Sequence, residues 1–194
     1  MRKLAPADLY SLEEYARHRG EFRAQVLDHK RHRRLHLGQH MTLCFEDRLT
    51  MQYQVQEMLR IERIFEPDGI AEELEAYNPL IPDGSNWKAT LLIEYPDPQE
   101  RARELARLTG IEHRLWVQVG DLAAVTGIAD EDLERSSDAK TSAVHFVRFE
   151  LAEEHVRALK AGAGIRAGVE HPLISVHLES VPESLRESLV ADLD

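Results

Sequence analysis

Three groups of side chains in this 194-residue chain have the types and spacing to bind or react. The first lies in EDRLTMQYQVQEMLRIERIF, residues 46–65, a stretch without Gly or Pro that reads as one long helix. At about 100° per residue, Glu46, Thr50, Tyr53, Glu57 and Arg60 share one side of it, while Met51, Val55, Met58, Leu59 and Phe65 form an apolar sector. Glu62 falls within that sector and would need a partner such as Arg48. A carboxylate like Glu57, beside Tyr53 and Arg60, can act as a general base or metal ligand because a guanidinium holds it ionised. The same residues also make a plain structural network, an Arg–Glu pair three residues apart plus a buried hydrogen-bond network that fixes packing, and that reading carries more weight. A metal-dependent enzyme would use His40, Glu46 and Glu57 for iron or zinc, with Lys88 or Arg60 neutralising a small anionic substrate.

The second group is His29, His32, His36 and His40, whose spacings of three, four and four put imidazoles on one helical face. Gly38 interrupts that face, and Lys30, Arg31, Arg33 and Arg34 repel a dication, so a solvated basic face is the better reading. The third group is the loop NPLIPDGSNWK. Its Asn78, Asp83, Asn86 and Lys88 gather hydrogen-bonding groups around a tight turn at Pro82-Asp83-Gly84. Such a loop either binds a ligand or satisfies its own backbone, and both readings stand. The glycines of AGAGIRAG follow a helix rather than a strand, which is the wrong end for a phosphate.

The elements that must position these groups follow from pattern. Ser11 and Glu14 have capping-box spacing for a first helix that Gly20 ends, and a second helix runs from about Glu21 through the basic segment. LHLGQHMTLCFED turns β-like around Gly38, as a hairpin entering the long helix. GIAEELEAY is a short helix. KATLLIEY, HRLWVQV, SAVHFVRFEL and PLISVHLESV read as strands, with helices in PDPQERARELARLTG, AEEHVRALKAG and PESLRESLVADL. The order strand, helix, strand, strand, helix, strand predicts a ferredoxin-like split βαβ antiparallel sheet in the C-terminal half. The α+β chain then divides into a helical N-terminal region, 1–80, including the central helix 46–65, and a sheet region, 81–194, packed on it as one globular unit.

Composition narrows the partners. With 24 Lys plus Arg against 35 Asp plus Glu the formal charge is -11, which disfavours nucleic acid and anionic membrane as whole-surface partners. Residues 17–36 hold seven basic and two acidic side chains, leaving -16 on the remainder. That basic run has no recognition motif beside it. Cys44 is the one cysteine, so no intrachain disulfide and no cysteine-built zinc or iron–sulfur site is available. The N-terminus has no apolar h-region and no run approaches the ~18 apolar residues of a span, so the sequence reads as cytoplasmic. A homo-oligomer is compatible with it.

In FEDRLTMQYQVQEMLRIERIF, AYNPLIPDGSNWKATLLIEY and HFVRFEL with GVEHP, the chain resembles the bacterial Domain of Unknown Function family 3501 over nearly its whole length. The resemblance implies a gene neighbourhood with a rubrerythrin-like protein and a heterodisulfide-reductase-like iron–sulfur protein. From it follows the expectation of an accessory or binding protein that docks onto a redox partner through the long helix and the NPLIPDGSN loop. It carries no catalytic residues over. It also marks His29 and His40 as family positions, with His32 and His36 incidental.

Overall fold

Alternation of apolar and polar residues along the strands builds two antiparallel sheets whose inward sides share one core. The structure, a computed structural model, describes every residue except Met1, Glu134 and Asp138. In chain order the elements are α1 (Leu12–Arg31), β1 (Arg34–Leu37), β2 (Met41–Glu46), α2 (Arg48–Glu62), α3 (Pro67–Tyr77) and β3 (Asn86–Ile93). Then follow α4 (Pro98–Arg107), β4 (Leu115–Val119), β5 (Val125–Thr126), β6 (Ile128–Ala129), β7 (Val144–Glu150), α5 (Glu153–Lys160), β8 (Ile165–His171), β9 (Ile174–Leu178) and α6 (Glu183–Val190). Sheet A has the order β1-β2-β3-β7-β6 and sheet B the order β5-β4-β8-β9.

A single split βαβ sheet does not form. β3 and β7 pair in sheet A, whereas β4 and β8 pair in sheet B, so helices α4 and α5 each lead from one sheet to the other. The reason lies at the edges: the β1–β2 hairpin occupies the free side of β3, and β6 occupies the free side of β7. The hairpin at Gly38 forms as its sequence predicts, but it makes two strands of the first eighty residues part of the sheet that continues in β3. β8 comes from IRAGVEH, a segment the sequence reading does not single out as a strand. The chain crosses between the sheets at Gly127, between β5 and β6, where its amide donates to the Leu115 carbonyl at 2.9 Å. A Cβ there would stand 2.6 Å from Val147, which explains a glycine at this corner.

The helices also differ from pattern in two places. α1 runs unbroken through Gly20, because Tyr15, Phe22 and Val26 form one stripe packed on Leu49 and Tyr53 of α2. That packing outweighs the ~1 kcal/mol a mid-helix glycine costs. α2 is capped reciprocally by Asp47 and Thr50 and stops at Glu62, where Arg63 turns left-handed at φ 58°. Phe65, beyond this stop, leaves the apolar sector; Glu62 in the last turn is exposed too, and Arg48 pairs with Asp8 at 2.7 Å instead of with Glu62. Met51, Val55 and Leu59 pack with Leu4, Leu74 and Ile81 in a second cluster. Among the described residues no helix is long and apolar enough to cross a membrane.

Candidate functional site

The outer side of sheet A carries polar groups where the rest of the strand run is apolar. Across its strands Arg34 faces Cys44, Cys44 faces Thr90 and Thr90 faces Phe146; the neighbouring row is Glu46, Lys88 and Arg148. α2 and the turn at Asn78–Leu80 stand over this side, leaving a cleft of about 310 Å³. Its walls include Lys30, Arg34, Cys44, Gln54, Thr90 and Leu92. A second space of about 110 Å³, reached past Glu46, Leu80 and Phe146, extends toward Lys88, Glu131 and Arg148.

Glu46 is common to both spaces and 7% exposed. It ends β2, and its backbone is fixed from behind by Arg33, whose guanidinium donates to the Glu46 and Phe45 carbonyls at 3.1 and 3.0 Å. Its two carboxylate oxygens accept from the Thr90 and Thr50 hydroxyls, each at 2.7 Å. Lys88, opposite it in register, directs its ammonium instead to the Pro79 carbonyl, and burial lowers its pKa. The Cys44 thiol is half-buried and its pKa is pushed up by that burial, which makes it a poor nucleophile at neutral pH.

The other residues singled out by pattern are engaged by groups of the protein itself. Glu57 accepts from Tyr15 at 2.7 Å, from Arg19 at 2.7 and 2.8 Å, and from Arg60 at 3.2 Å; Arg19 above all holds its carboxyl down at about 2. Tyr53 packs on Phe22 with Lys30 over its ring. Asn78 clamps both backbone polar groups of Leu4, at 2.8 and 2.9 Å. Asp83 accepts from the Ser85 amide and from Asn86, so this turn satisfies its own backbone. His40 stacks on Tyr95 at the far end of β2 from Glu46, and Glu57 lies in the α1–α2 interface. The fold thus does not gather His40, Glu46 and Glu57 around one point. The four histidines likewise separate: His29 meets Asp47 at 2.5 Å from the end of α1, while His36 lies on β1.

A second polar cluster sits on the core side of sheet A, where His145 shares a face with Val147 and Phe149. One atom from each of Glu112, Asp130 and His145 can be chosen so that all lie within 4.8 Å. Asp130 Oδ2 lies 2.6 Å from His145 Nδ1, whereas Nε2 meets Thr141 Oγ1 at 2.9 Å and the Ser142 carbonyl at 3.0 Å. Glu112 accepts from the Ser136 and Thr141 hydroxyls at 2.6 and 2.9 Å. The ring thus meets Asp130 directly at one nitrogen and Glu112 through the Thr141 hydroxyl at the other, which suits a buried staple better than a shared metal vertex.

Sequence reasoning named Glu46 and Lys88 but missed Lys30, Arg34, Cys44 and Thr90 as their neighbours, and it missed the His145 cluster. Signals existed: Cys44, Glu46, Lys88 and Thr90 are polar at alternate positions of otherwise apolar strands, and His145 falls in phase with core residues.

The model of the family described as protein of unknown function (DUF3501) matches residues 3–193. The chain is also similar to a novel protein of unknown function from Burkholderia pseudomallei, whose crystal structure was determined at 1.90 Å resolution. The two share 49% identity over 100% of each chain, with a TM-score of 0.95. No curated protein matches the chain.

Proposed function

The chain belongs to the DUF3501 family of proteins of unknown function, and from that premise we propose that it is a small-molecule-binding protein whose ligand occupies the cleft over sheet A. The observation that carries this reading is the carboxylate of Glu46, 7% exposed, held among the described residues by two threonine hydroxyls and bordering an open cleft of about 310 Å³. Buried charges in folded proteins are normally paired, and a pocket with a few convergent polar groups on apolar walls is the usual form of a ligand site. Thermal-shift screening of a small-metabolite library against wild-type and Leu92→Trp proteins tests this, because the indole would fill the cleft from its wall. A ligand at a hundredfold excess over Kd stabilises the wild type by about 2.7 kcal/mol, a rise of several degrees in Tm that the variant should lack. Equal shifts in both proteins would sink the reading.

Docking to a rubrerythrin-like or iron–sulfur redox partner is the competing reading, supported by two exposed apolar side chains near the end of α2, Ile61 at 61% and Phe65 at 69%. Large apolar groups left open in this way suit a protein contact. The double variant Ile61→Ser/Phe65→Ser would then lose crosslinking to the partner in the native host while keeping ligand-induced stabilisation. Unchanged crosslinking would remove the docking reading.

A further inference from the structure

Resting on the cleft as a ligand site, we infer that its ligand is amphoteric: a cationic amine that meets Glu46, a short apolar middle, and a carboxylate-type anion that meets Arg34 and Lys30. Arg33, which also lines the cleft, is paired with Asp192, but the charges of Glu46, Arg34 and Lys30 are separated and, among the described residues, without an ion-pair partner. Among the described residues no Lys, Arg or His nitrogen comes within 4.0 Å of the Glu46 carboxylate. The two threonine hydroxyls orient it but bring no full positive charge, and a carboxylate this buried is strongly favoured by a cation placed on it. Its cross-strand neighbour Lys88 is engaged by the Pro79 carbonyl.

The opposite condition holds two residues along the same face. Arg34 is exposed and Lys30 half-buried, and among the described residues neither has a carboxylate within 4.0 Å. Lys30 instead lies 5.9 Å above the Tyr53 ring. Since Arg34 stands opposite Cys44, two positions before Glu46 on β2, the two poles are about 7 Å apart along the strand. Met51, Leu80, Leu92 and Phe146 supply apolar wall to the cleft. A ligand carrying one sign of charge would leave one pole unanswered.

Calorimetric titration with ε-aminocaproate, caproate and hexylamine, with amide chemical-shift mapping, tests this. ε-Aminocaproate should bind about tenfold more tightly than either one-charge analogue. Glu46→Gln should weaken ε-aminocaproate and hexylamine by about tenfold and leave caproate unchanged, and Arg34→Gln should do the reverse for the two anions. Arg34 is exposed and the glutamine amide keeps an acceptor for a threonine, so both variants should fold, which circular dichroism checks. If the one-charge analogues bind as tightly as the zwitterion, or Glu46→Gln changes nothing, the amphoteric assignment falls while shifts confined to the cleft uphold the binding reading. If no probe moves cleft resonances, the assignment falls, and the Leu92→Trp comparison decides the cleft reading on its own.

Discussion

Glu57 directs its charge into the protein. Its folded-state carboxyl lies at about 2, against an ordinary 4.5, first because of the Arg19 guanidinium and then because of Tyr15 and Arg60. A depressed carboxyl stabilises the fold fully above the ordinary value, and that contribution is lost as pH falls from 4.5 toward 2. Other carboxylates titrate in this window too, so the comparison of two proteins isolates the effect. The urea midpoint of wild type should fall more steeply across that window than that of Glu57→Gln, and parallel profiles would refute the assignment. The alignment of Tyr53, Glu57 and Arg60 on one helical side was legible in sequence. The partners that settle the role of Glu57, Tyr15 and Arg19, come from 42 and 38 residues away, and no periodicity within the segment names them.

At the scale of elements, Arg33 joins the parts that hold the cleft floor in place. The basic run around it reads as a solvated face, yet its guanidinium is 2% exposed and meets Asp192 at 2.5 Å, Ser188 Oγ at 2.8 Å and Asp47 at 3.5 Å. It thereby ties the β1–β2 hairpin and the cap of α2 to α6. Burial raises the Asp192 pKa despite Arg33, whereas for Asp47 burial is outweighed by Arg33, the Thr50 amide and His29, which lower it. Arg33→Met would leave Asp192 buried without its cation and should cost about 3–5 kcal/mol in urea denaturation. The double variant Arg33→Met/Asp192→Leu should recover a large part of that loss, since the stranded Asp192 carboxylate is gone while Asp47 keeps the Thr50 amide and His29. A double variant as unstable as the single one would show that the pair itself, not the stranded carboxylate, carries the energy. The caps at Ser11 and Asp47 follow local rules that sequence exposes. The stop of α2 at Arg63 does not, because a left-handed arginine has no strong sequence signature.

At the scale of the whole molecule, two sheets close over one core, and close approaches fix their geometry. A Cβ on Gly168 of β8 would stand 2.4 Å from the Val176 carbonyl oxygen and 2.5 Å from the Trp116 ring. Gly168→Ala should therefore destabilise the protein by about 1–3 kcal/mol with the secondary structure retained, measured by urea denaturation with circular dichroism. An unchanged midpoint would mean that the strand relaxes without cost. The sequence by itself determined the α+β class, most strands and helices, and the hairpin at Gly38. These follow from local periodicity, turn chemistry and composition, which act within a few residues. Only the tertiary structure decided that β3, β4, β7 and β8 divide between two sheets, that Arg33 is buried, and that Glu46 rather than Glu57 borders an open cleft. Those outcomes depend on which strand edges are already occupied and which distant side chains answer a charge, and such long-range pairing leaves little trace in the spacing of neighbouring residues.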